Sequence, residues 1–165
     1  MSMPSVFTFV ASRTFRSNSK GQALVEFTLI FLLLLVIAWI PADFGLAFYT
    51  GQLAQNAARE GARIAAADPT LVIGTTSCTM PSCSGNILKE TAARISSALL
   101  PGATISVTLD PDSDPPTCDR NVIVTVSGNY SYFFYQILGM LGNTVPNTVN
   151  IVRSTSMRYE HQAGC

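Results

Sequence analysis

Glu26 is the only charged residue between Ala23 and Ala42. A carboxylate at the middle of a bilayer costs about 3 kcal/mol to insert, and one turn in from the edge it costs less but still needs a partner. It is preceded by Lys20-Gly21-Gln22-Ala23-Leu24-Val25 and followed by Phe27-Thr28-Leu29-Ile30-Phe31 and a run of leucines. The remaining residues able to do chemistry are few. They are four cysteines, Cys78, Cys83, Cys118 and Cys165, one histidine, His161, the charged trio Arg59, Glu60 and Arg63, and the aspartates Asp110, Asp112, Asp114 and Asp119.

Catalysis needs a nucleophile, acid or base held in a constellation, and a single histidine in a C-terminal tail supplies none, so no enzyme is expected. Pro111, Pro115 and Pro116 interrupt the aspartates, and no glycine or terminal glutamate stands where a calcium loop needs one. The cysteine spacing matches no zinc ribbon or finger. No metal and no cofactor is expected. Arg59, Glu60 and Arg63 read first as a solvated helix face.

The elements that position these groups follow from where the charges lie. Net charge is zero, yet three of the ten basic residues, Arg13, Arg16 and Lys20, precede the stretch Ala23 to Ala42. As helix that stretch is about 30 Å long, the thickness of a bilayer core. Basic residues before it and Asp43 just after it orient the N-terminus to the cytoplasm. A secretory signal would end in a small-residue cleavage site, and Ala38-Trp39-Ile40-Pro41-Ala42 offers no clean one. The part beyond carries nine of the ten acids and seven of the ten bases, with no basic field for phosphate backbones, so no nucleic acid partner is expected. All four cysteines fall in this exported part, where disulfides are the default.

Lys20-Gly21-Gln22 followed by Glu26 resembles the leader of type IV pilins and pseudopilins. In that class a membrane peptidase cuts after a glycine and the glutamate is the fifth residue beyond the cut, as Glu26 is from Gln22. Further along, A-L-V-E-F, D-F-G-L-A-F-Y and N-A-A-R-E-G-A-R, Asn56 to Arg63, resemble the TadE-like family, minor pseudopilins of the tight adherence (Flp) pilus, over roughly Gly21 to Asp68. The resemblance implies processing at Gly21 and Gln22 by a prepilin peptidase and assembly with other pilins or pseudopilins. In such an assembly the Glu26 carboxylate would neutralise a neighbour's new α-amine, offsetting two desolvation penalties together. It further implies a bacterial inner membrane location with the head outside, incorporation in a surface pilus, and Arg59, Glu60 and Arg63 as an intersubunit ion-pair set. A glutamate that snorkels to the interface of an uncleaved anchor is the plainer reading.

The implied division is a basic leader over 1–21, a transmembrane helix over 22–42, an exported helix over 43–68 and a head over 69–165. Small residues Ala47, Gly51, Ala54, Ala58, Gly61 and Ala65 form one stripe of the exported helix, suited to packing on another subunit or on the protein's own sheet. Pro41 removes the amide that would bond to Ile37, which predicts a kink. Asp68-Pro69 ends the helix, and a loop holding Cys78 and Cys83 follows. The pattern then predicts a helix over about 85–100, strands over 104–109 and 121–128 forming a hairpin, an apolar helix over 130–141 too short to cross a bilayer, and a third strand over 147–159. The fold class is α+β, a long kinked N-terminal helix packed on a small antiparallel sheet. Three disulfide connectivities are open, with Cys78–Cys83 and Cys118–Cys165 preferred. Two functional classes remain, a pilus assembly component cut after Gly21 and an uncleaved, membrane-anchored periplasmic binding module.

Overall fold

The computed structural model describes residues 19–111, 119–140, 142 and 147–161. The chain divides into two compact units, one reaching Ala38 and the other running from Trp39 onward.

The first unit is the start of helix α1, Ser19–Ala66. From Gly21 on, every residue of this unit is exposed, with Leu24, Phe27, Leu29, Leu32 and Leu33 each at least 60% accessible. A helix with apolar residues on all sides and none of them covered is the pattern of a membrane span. This is the one helix among the described residues long and apolar enough to cross a membrane, as an N-terminal anchor would.

The second unit begins with the last turn of the span. Helix α1 continues through Pro41 as far as Ala66. Strands β1 (Gly74–Thr79), β2 (Thr104–Leu109), β3 (Asn121–Ser131) and β4 (Thr148–Arg158) form an antiparallel meander in the order β1-β2-β3-β4. Helices α2 (Asn86–Ala93) and α3 (Phe133–Met140) lie in the β1–β2 and β3–β4 connections.

Alternation builds the core. Ile105, Val107 and Leu109 of β2 pair with Val126, Val124 and Val122 of β3, and all six are at most 2% exposed. Burying each such side chain stabilises the head by roughly 1.5–3 kcal/mol. Against them lie Ala54, Ala57, Ala58, Ala62 and Ala65 of α1, all fully buried. Small side chains let the helix axis approach the sheet closely. At Gly61 the approach is closest among the glycines of α1, since a Cβ placed there would overlap Thr91 Oγ1 of α2 and sit 3.2 Å from Val124 Cγ1. The small-residue stripe therefore packs inside the molecule, the second of its two readings, and subunit packing is not its use.

Helix and hairpin match in length. From Asp43 to Ala66 the helix rises roughly 35 Å, about the span of the eleven residues of β3 or β4. Tyr130 and the start of α3 meet Asp43 at one end. At the other, the Tyr159 hydroxyl donates to the Asp68 carbonyl and the Glu160 amide to the Ala66 carbonyl. Gln55 donates to Thr155 Oγ1 between them, at 2.9 Å.

Three expectations are corrected. The loop holding Cys78 and Cys83 contains β1, an edge strand of threonine, serine and glycine with no apolar alternation, held by its ladder to β2 and by the Thr75–Thr108 hydroxyl pair. The sheet therefore has four strands. The expected helix over 85–100 stops at Ala93, because the chain turns at Arg94 and again at Ser96, whose carbonyl accepts the Leu99 and Leu100 amides. That turn seats Leu100 over Gly128, where a Cβ would lie only 2.7 Å from Leu100 Cγ.

Candidate functional site

The first cluster is at the start of α1. Gly21 and Gln22 lie in the first turn of α1, and the Gln22 side-chain amide donates to Glu26 Oε1 at 3.2 Å. The spacing of four that puts Glu26 fifth after Gly21 also places residue 22 on the same helix face. A neutral amide satisfies one lone pair of the carboxylate and leaves its charge uncompensated. One turn on, the Thr28 hydroxyl donates to the Leu24 carbonyl at 2.8 Å, which removes its polarity from an apolar surrounding. The i, i+4 relation of Gln22 to Glu26 was the signal for this contact, and sequence reasoning considered only the backbone amine of Gln22.

The second cluster is on the exported part of α1. In the run Asn56 to Arg63, Ala57, Ala58, Gly61 and Ala62 face the core, whereas Asn56, Arg59 and Arg63 face out. Glu60 lies at the border and accepts from Arg63 at 2.7 and 3.1 Å and from Arg94 at 3.2 Å. The hydrogen bond from Arg63 holds its carboxyl below the usual range, with help from the charges of Arg63 and Arg94. Glu60 thus ties α1 to the end of α2. Exposed ion pairs of this kind contribute little to stability, because water screens them. Arg59 makes no polar contact with the described residues. Of the three charges, two are engaged within the chain.

The third cluster was not read from the sequence. Asp43, 4% exposed, accepts the Tyr130 hydroxyl at 3.2 Å, the Phe133 amide at 3.2 Å and the Phe134 amide at 2.8 Å. Its carboxylate caps α3 from ninety positions away in sequence. Tyr130 is raised to about 12, first by burial and then by its bond to Asp43. Nearby, Phe44 packs on Tyr132 and Trp39 stacks on Phe133, with ring centroids 5.3 and 5.8 Å apart.

Cys78 and Cys83 form a disulfide. The expected partnership of Cys118 and Cys165, together with Asp112, Asp114 and the basic leader through Asn18, falls outside the described residues. His161 stands near the end of α1, its Nε2 3.2 Å from the Ala67 carbonyl. Among the described residues no three His, Cys, Asp or Glu side chains come together as metal ligands. A cleft of about 400 Å³ lies between the loop after α1 and the start of α2, lined by Leu71, Val72, Ile87, Leu88 and Val107.

Residues 21–63 match the model of the TadE-like protein family. In this segment the chain is similar to TadE-like proteins. The matched span takes in both the Gly21–Glu26 cluster and the Arg59–Arg63 run, so it lies wholly within α1 and reaches the core-facing part of that helix. No curated protein and no solved structure matches the chain.

Proposed function

We propose that the chain is a minor pseudopilin without enzymatic activity, cut between Gly21 and Gln22 by a prepilin peptidase. The observation that carries this reading is Glu26, the one charge in the span, on the same helix face as Gln22 and bonded to it only through a neutral amide. Cleavage would convert Gln22 into a terminal ammonium, and in an assembly of pilins the Glu26 carboxylate of one subunit would pair with the ammonium of the next. Pairing offsets the desolvation of both charges. The new terminus would also bring Glu26 nearer the positive end of the helix dipole. The disulfide Cys78–Cys83 supports placing the head outside the cytoplasm, and the basic residues before the span support a cytoplasmic N-terminus. Arg59, with no polar partner among the described residues, is the charge available for a contact between subunits.

The test is the intact mass and N-terminal sequence of the protein from its native membrane, with and without the host's prepilin peptidase. A peptidase-dependent terminus at Gln22 is expected. A terminus at Met1 in both would leave an uncleaved anchor whose head is a periplasmic binding module. Glu26→Ala is expected to block incorporation into pili while leaving membrane insertion intact.

A further inference from the structure

We propose that α3 is a second membrane-contacting element, seated in the lipid headgroup layer on the face of the bilayer from which α1 emerges. The inference rests on α1 spanning the membrane and not on its processing or assembly.

Position comes first. Asp43 follows directly on the apolar span, and its carboxylate holds the Phe133 and Phe134 amides, so α3 starts at the level where α1 leaves the hydrocarbon. Trp39, in the last turn of the span, stacks on Phe133. If Trp39 is at the boundary, Phe133 is beside it. The Tyr132 amide donates to the Asn147 carbonyl at 2.8 Å, closing the β3–β4 hairpin behind α3. The helix therefore belongs to an excursion beyond the membrane-side end of the sheet.

Chemistry comes second. No charged residue occurs between Asn121 and Val152, and Tyr130, Tyr132, Phe133, Phe134 and Tyr135 give five aromatics in six positions. Tyrosine and tryptophan concentrate at the headgroup level, where an apolar ring and a polar tip are both accommodated. Phe133 remains 54% exposed even with Trp39 stacked on it. Of the two charges of β4, Arg153 is midway along the strand and Arg158 is at the far end, where it approaches Asp119 at 3.9 Å.

The chain has a single tryptophan, which makes the test direct. The full-length protein is placed in phosphatidylethanolamine–phosphatidylglycerol vesicles containing phosphatidylcholine brominated near the headgroup end of its acyl chains. Three proteins are compared, the wild type, the exchange Trp39→Phe/Phe133→Trp, which keeps the two-ring stack, and Trp39→Phe/Val72→Trp as a reference for solvent. Trp39 and the tryptophan at 133 should both lose most of their emission to the bromolipid and resist aqueous iodide, and the one at 72 should do the opposite. Quenching of Trp39 without quenching at 133 overturns the inference and leaves the span standing. Shielding from iodide at 133 without bromolipid quenching also overturns it, because a protein surface then covers α3. No quenching of either residue overturns the span and the inference together. Circular dichroism checks the fold of the exchange. If the exchange disturbs it, Phe133→Trp alone should show all of its emission quenched, and quenching of the Trp39 share alone overturns the inference.

Discussion

The Asp43 carboxylate accepts the amide proton of Phe134 at 2.8 Å, joining two residues 91 positions apart at the point where the span meets the head. Asp43→Ala leaves the Tyr130 hydroxyl and two amides without their acceptor, and the head is expected to lose about 2–4 kcal/mol. Asp43→Asn keeps one acceptor oxygen and should lose less. Urea unfolding in detergent micelles measures both, and equal stability in all three proteins would refute this account of the cap.

Among the glycines of α1, Gly61 is the tightest approach to the rest of the core. Gly61→Ala is expected to destabilise the head by about 1–3 kcal/mol through overpacking. Because the nearest atom is Thr91 Oγ1, adding Thr91→Ala should recover part of that loss, so the double variant falls short of the sum of the singles. Thermal unfolding of the four proteins gives the coupling. Strict additivity would mean that the strain is relieved elsewhere.

The disulfide closes a short loop, with cysteines separated by five positions. Cys78→Ser/Cys83→Ser is expected to cost roughly 2 kcal/mol on the chain-entropy account. The effect should be local. Amide exchange should quicken in Gly74–Thr79, the edge strand that holds Cys78, and hardly change in β3. Unchanged exchange in β1 would show that the ladder to β2 alone holds the edge.

Tyr130 is pushed up from 10 to about 12 by burial and by Asp43. A group whose pKa is raised on folding contributes stability that is complete below its unfolded value and disappears as pH climbs through the folded one. Alkaline titration should therefore show one of the five tyrosines ionising late, with stability falling between pH 10 and about 12. Tyr130→Phe should abolish the late step in the phenolate absorbance.

Asp68 has the opposite sign. The Thr70 hydroxyl and then the Thr70 amide hold its carboxyl below the ordinary 3.8. Its contribution is present above that value and is lost as pH falls through the lower folded one. Asp68→Asn should flatten the acid limb of a stability–pH curve, and an unaltered limb would assign acid sensitivity to other carboxylates.

What could be read in advance depended on how local the cause was. Val122, Val124 and Val126 alternate with less buried neighbours, and period two on a half-buried sheet is legible without a structure. Strand β1 was not legible because GTTSCT has no apolar period, and its strand state comes from the edge of β2 against which it pairs. Helix α2 was overextended because Ile95 and Leu99 continue an apolar period while their backbones turn to place Leu100 over Gly128.

The sequence by itself determined the membrane span, the lone carboxylate within it, the glycine ahead of that carboxylate and the TadE-like run. These are properties of composition and spacing along one helix, where neighbours in space are neighbours in sequence. Only the tertiary structure decided that the small-residue stripe faces the protein's own sheet, that Arg94 reaches Glu60, and that Asp43 caps α3. Each of these last facts pairs residues far apart in the chain, and such pairs are selected by packing of the whole core, which no local pattern encodes.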